Sequence, residues 1–387
     1  MMTIAEQAYS PAVEKSTHGR LFFIDHLRVF LSILVIIHHL AITYGAVSYW
    51  YYVEVPKDIV TPLVTVLIIL LNQAYFMGCF FLIAGYFVAG SYERKGFRNF
   101  LRDRLLRLGL PILAFMFLMS PIISYAGYIS IAPALRRGSS LSFVEFLPIS
   151  IGPGPLWFLE ALLILSIVYA FWRHVGNRKQ PNEEARTLPK LPHIVLFTIL
   201  LGIITFLWRI WVPIGYYVPI IGFPSASHLP QYVSLFMIGI YASRRAWFEQ
   251  ISTKSGRLAF AVAFLATLFI FPFALGQNET AFLGGINIKS LAYSFWEAIF
   301  CINVCIGLIG LFHKRLNHQW SISSFLAQNS YAAYIIHTAV IVALAIALKG
   351  LELHALLKFG LSIIIGVPLC FLNAALIRKI PGFGAIL

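Results

Sequence analysis

"LRVFLSILVIIHHL", residues 27–40, is an apolar run with an arginine near its start and two histidines near its end. Burying charge is costly, and ionisable groups inside an apolar helix are rare and commonly functional. The reading of this stretch decides whether the chain spans a membrane. It also asks why a first span would carry both Arg28 and His39.

The rest of the chain resembles the stretch. Its 387 residues are 59% hydrophobic and 11% charged, with a mean hydropathy of +0.82. A soluble domain carries about 25% charged residues, so the composition excludes one. Ten apolar segments of spanning length can be drawn, at about 27–47, 62–89, 106–128, 155–172, 193–212, 229–243, 257–275, 290–312, 322–348 and 355–377. The sixth is the shortest. The expected fold is all-α: a polytopic membrane helix bundle of about ten transmembrane helices. Its parts are a tail over 1–22, a transmembrane domain over 23–380 and a short tail over 381–387.

The basic residues give the orientation. With the N-terminus inside, the outer segments hold only Lys57, Arg136, Arg137, Lys289 and Lys349. Arg28, Arg209 and Lys358 fall within spans or at their ends, and all other Lys and Arg fall in inner segments. That asymmetry is the positive-inside pattern and sets both termini in the cytoplasm. It also accounts for the net charge of +14 without nucleic acid, because the charge is spread over short loops. No cleavable leader is expected, since the first residues lack an apolar core. Cys79, Cys301, Cys305 and Cys370 all sit in apolar runs, so neither a disulfide nor a metal site is expected.

Polar groups inside the spans fall into two layers. Arg28 lies at the inner end of the first span, with Asp25 three residues away to orient it. His39 stands eleven residues further, roughly 16 Å along a helix, close to three full turns. It therefore shares the arginine's face, while His38 points about 100° away. Six basic residues run from Arg94 to Arg107 after the second span. If that segment is helical, Arg94, Arg98 and Arg102 present one basic face. The cluster reads either as an orientation signal or as a clamp for phosphates. Gly85 and Gly90 bracket the turn, where a backbone or a ligand can come close. In the outer half lie Asn72, Gln73, Glu160, Gln231 and His337. Amides there commonly hydrogen-bond between helices, whereas a carboxylate such as Glu160 needs a partner or a task. Basic groups inside and His, Glu and amides outside suit a reaction across the bilayer. A proton-coupled transporter of a small solute is the alternative class, since it buries the same residue types. Against it, no pair of interrupted helices marks an inverted repeat.

These residues resemble a known family. "FIDHLRVFLSILVIIHH" (23–39) is similar to the first helix of the integral-membrane acyltransferase 3 family, marked by an arginine and a histidine separated by ten residues. The likeness continues through "FFLIAGYFV" (80–88), "RDRLLRLGLP" (102–111), "GPLWFLEALL" (154–163), "LPQYVSLFMIGIYASRR" (229–245) and "NSYAAYIIH" (329–337). Within the family the chain is most similar to the branch of bacterial periplasmic glucan succinyltransferases. It departs where the family's Ser-Gly pair stands as Ala84-Gly85, so no serine role carries over.

The resemblance implies acyl-coenzyme A, acetyl or succinyl, bound from the cytoplasm with its pantetheine arm threaded into the bundle. Arg28, Arg94, Arg98, Arg102, Arg104 and Arg107 would hold its phosphates, with Gly85 beside the arm. His39 would be the general base on an acceptor hydroxyl, or an acyl carrier, and the single-step base is preferred. Glu160 would orient the acceptor or the histidine. Asn72, Gln73, Trp157, Gln231 and His337 would contact the acceptor, an extracytoplasmic glycan or similar molecule. The implied setting is a bacterial inner membrane, and no metal is involved.

Overall fold

The computed structural model describes residues 20–47, 50–130, 141–176, 187–218, 222–276 and 280–386. Lys15, Arg136, Arg137, Arg178, Lys179 and Arg186, used above to orient the chain, lie outside them. Among the described residues the structure is helical, apart from one β-bridge between Val218 and Phe223.

The helices follow the apolar runs. They are α1 (Phe22–Gly45), α2 (Val60–Gln73), α3 (Phe76–Arg104), α4 (Leu110–Ala114), α5 (Ser120–Ser130) and α6 (Phe143–Ser150). After these come α7 (Trp157–Val175), α8 (Leu191–Arg209), α9 (Leu229–Arg244), α10 (Trp247–Gln250) and α11 (Thr253–Leu275). The last are α12 (Ile288–Arg315), α13 (Ser321–Ala347), α14 (Ala355–Arg378) and α15 (Phe383–Ile386).

Eight helical runs among the described residues are long and apolar enough to cross a membrane. The difference from ten has two local causes. The run Val60–Ser130, 71 residues long, holds both the second and the third expected spans. It bends at Gly96, where φ of 70° is a left-handed value that glycine adopts without a Cβ clash. The expected sixth span, α9, has 16 residues, about 24 Å of helix, short of a hydrocarbon core of about 30 Å.

A second break, between α2 and α3, is stabilised by amides. Tyr75 has φ −140°, and Gln231 donates to the Ala74 carbonyl beside it at 2.6 Å. Gln73 donates to the Tyr232 hydroxyl at 3.0 Å. A buried backbone carbonyl without a partner is costly, so the two glutamines belong to this joint.

The buried helices α1, α12 and α13 form the centre, and the less buried α8, α11 and α14 sit at the rim. α1 packs on α13 and α14, and α3 packs on α9 and α7. The α3–α9 contact is close because of glycine. A Cβ on Gly85 would stand 2.1 Å from the Phe236 carbonyl oxygen, and one on Gly239 2.2 Å from that of Leu82. Small residues at such crossings let helix backbones approach. Gly85 thus serves the packing of α9.

Candidate active site in the α1–α13 contact

The site begins where α1 meets α13. His39 Nδ1 lies 2.9 Å from the Val35 carbonyl and 3.1 Å from Nε2 of His337. His337 is fully buried, and its Nδ1 lies 2.5 Å from the Tyr334 carbonyl. Trp50 covers the His39 ring, with centroids 4.3 Å apart and planes at 17°. His38, the adjacent residue, faces away and stacks on Phe76. Both hydrogen bonds found for His39 use Nδ1, so Nε2 is the nitrogen left for chemistry.

A cavity of about 390 Å³ lies between α1, α3, α7 and α13, and neither His39 nor His337 lines it. One end is basic, lined by Arg28, Arg104 and Arg107; the walls include Phe80, Ile83, Phe158 and Leu162; the other polar groups are Ser32, Ser166, Ser330, Tyr331 and Tyr334. Arg28 forms no ion pair among the described residues, and Arg104 Nε is buried without a hydrogen-bond partner. Arg104 is held across the Phe100 ring, 4.9 Å from its centroid. Three guanidinium groups at the mouth of an apolar cavity suit an anion such as a phosphate.

Proline helps build this mouth. Arg107 stands in a π-helical turn (Leu105–Gly109), followed by Pro111, which has no N–H to offer a carbonyl of the preceding turn. The Tyr331 hydroxyl of α13 donates to the Arg107 carbonyl. Tyr334, one turn further along α13, lines the cavity with its side chain. Its hydroxyl donates to the Pro155 carbonyl, and its own carbonyl holds His337. One residue therefore touches both the cavity and the histidine pair.

The residues singled out from sequence divide accordingly. Arg28, Arg104 and Arg107 meet at the cavity. Arg94, Arg98 and Arg102 do not line it and are exposed. The shared face expected of them required a continuous helix, and the bend at Gly96 separates Arg94 from the other two. Asp25, expected to orient Arg28, accepts from Arg20 Nε at 2.8 Å. Glu160 is half-buried and does not line the cavity. No described hydrogen bond joins it to His39, and its Oε2 is buried without a partner. Trp157 stacks on Tyr232 at 5.6 Å, so Trp157, Gln73 and Gln231 gather around Tyr232 rather than around His39. Asn72 is buried, with its Nδ2 unpartnered among the described residues.

Sequence reasoning missed Trp50, Ser166, Tyr331 and Tyr334. The aromatic run at 49–52 directly after the first span was a usable signal for Trp50. Nothing local marked Ser166, whose buried hydroxyl has no described partner and faces the cavity. A second polar cluster was also missed: Arg209 Nη2 donates to Glu297 Oε2 at 2.6 Å, and His228 Nε2 lies 3.1 Å from Glu297 Oε1. Among the described residues no group of three or more His, Cys, Asp or Glu could hold a metal ion.

Comparison with known proteins places this architecture. A family model described as an acyltransferase domain matches residues 21–375. Curated relatives include the glucans biosynthesis protein C of Salmonella typhi and that of Salmonella typhimurium. Each is 23% identical over 335 residues, covering 82% of this chain and 81% of the relative.

Proposed function

The chain belongs to this family of membrane acyltransferases, and on that premise we propose that it moves an acetyl or succinyl group from acyl-coenzyme A to a hydroxyl of a glycan across the membrane. The observation that carries the reading is the cavity itself. It has an arginine mouth and apolar walls, and it reaches Tyr334, whose carbonyl anchors the His337–His39 pair.

Arg28, Arg104 and Arg107 bind the donor's phosphates at the cytoplasmic face. The pantetheine arm runs between Phe80, Ile83, Phe158 and Leu162. His39 lies two turns beyond Ser32, roughly 10 Å along α1, so the thioester must pass the Tyr334 side chain to meet it. His39 Nε2 takes the proton of the acceptor hydroxyl, and that oxygen attacks the thioester carbonyl. The tetrahedral adduct collapses, the coenzyme A thiolate leaves, and it recovers the proton from His39. Glu160, with its free Oε2 near the start of α7, orients the acceptor.

The glycan acceptor rests on the name of the relatives, glucans biosynthesis protein C. Both termini then lie in the cytoplasm and the protein resides in the inner membrane. The test is equilibrium binding of acetyl-coenzyme A, succinyl-coenzyme A and free coenzyme A to the purified protein in detergent. Micromolar binding that Arg28→Ala and Arg104→Ala each weaken at least tenfold supports the donor. A folded sample that binds none of the three contradicts it and favours transport of a small solute.

A further inference from the structure

We propose that His337 is the positioning residue of acyl transfer, holding His39 in the one tautomer whose Nε2 is a base. The inference rests on the reading of His39 as the base.

Hydrogen-bond chemistry assigns the protons. A backbone carbonyl can only accept. His337 Nδ1 lies 2.5 Å from the Tyr334 carbonyl, so Nδ1 carries the hydrogen and donates. A neutral ring then has its lone pair on Nε2, the atom 3.1 Å from His39 Nδ1. His39 Nδ1 also faces the Val35 carbonyl at 2.9 Å, so it too carries hydrogen and donates to both. His39 Nε2 is left with its lone pair. The opposite assignment turns two nitrogen lone pairs toward two carbonyl oxygens, and both contacts become repulsive. Two carbonyls, one on each helix, therefore set the direction of the whole chain.

The Val35 carbonyl alone does not do this well. It also lies in the α1 ladder, where it accepts from the His39 backbone N–H. His337 Nε2 has no such second donor among the hydrogen bonds described. Its importance grows during the reaction. When His39 Nε2 takes the hydroxyl proton, the ring becomes an imidazolium inside an apolar bundle. His337 Nε2 meets the new charge at Nδ1–H, where His337 itself is fully buried. The role is that of the group that orients a catalytic base, here filled by a second neutral histidine.

A mere tie between α1 and α13 would not depend on which atom faces His39. His337→Leu removes the acceptor, and His337→Gln restores one, because the Gln side-chain oxygen reaches about where Nε2 stood. For the reconstituted full-length protein, Leu is expected to lower kcat roughly 10²-fold or more with the donor KM unchanged, and Gln to recover most of the loss. Wild-type kcat in a folded Leu variant would overturn the proposal, as would a Gln variant as slow as Leu. Nitrogen-15 NMR of histidine-labelled wild-type protein tests the tautomer without any variant or turnover. His39 must show a protonated Nδ1, an unprotonated Nε2 and a coupling to His337 Nε2; a protonated Nε2 sinks the idea. If no acyl thioester is turned over by the wild type, the donor reading fails while this spectrum still decides the role of His337.

Discussion

Tyr331 of α13 donates its hydroxyl hydrogen to the backbone carbonyl of Arg107, in the π-helical turn just before Pro111. The contact fixes the arginine mouth of the cavity to the helix that carries His337. Tyr331→Phe removes that exposed hydrogen bond, at a cost of about 0.5–1.5 kcal/mol. The expected result is a several-fold weaker donor KM with kcat little changed, measured by steady-state acyl transfer.

The basic run from Arg94 to Arg107 should split in function. Arg104→Ala removes a guanidinium that lines the cavity, whereas Arg98 is exposed and does not line it. Donor affinity by calorimetry should fall at least tenfold for Arg104→Ala and stay within twofold for Arg98→Ala. Equal losses would mean that the whole run acts as one diffuse attractor.

Gly85→Ala should be destabilising with no direct effect on donor contacts. The added Cβ falls 2.1 Å from a backbone oxygen of Phe236, so α3 and α9 must separate. Overpacking of this kind costs about 1–3 kcal/mol. A lowered melting midpoint in detergent, with donor affinity unchanged at low temperature, is the expected pair of readings.

Much of the fold was legible because apolar runs of spanning length report directly on helices in lipid. What sequence could not show were the joints. Gly96 looks like any surface glycine in a basic stretch, yet its positive φ divides one 71-residue run into two directions. The partition of the site follows the same logic. Arg28 and His39 were visible because eleven residues on one helix bring them to one face. His337 stands 298 positions from His39, and nothing local in the sequence pairs it with another helix. Gln73 and Gln231 looked like ligand groups for the same reason, since the break they stabilise is invisible in composition.

The Arg209–Glu297 pair is a buried ion pair away from the cavity lining, and its test is stability. Both side chains are almost fully buried and bonded at 2.6 Å. Removing one partner leaves the other charge uncompensated, which costs on the order of 3–5 kcal/mol. Glu297→Ala should therefore lower the yield of folded protein sharply, while Glu297→Ala combined with Arg209→Met recovers part of it. Thermal unfolding followed by size-exclusion chromatography checks both.

Acyl transfer by His39→Ala tests most directly whether His39 is the base. Wild type and variant are reconstituted in proteoliposomes with radiolabelled acetyl- or succinyl-coenzyme A and a soluble glucan on the side opposite the donor. Labelled glucan is expected from the wild type, none above background from the variant, and equal donor affinity for the two. Labelled glucan from His39→Ala at the wild-type rate would contradict that role for His39.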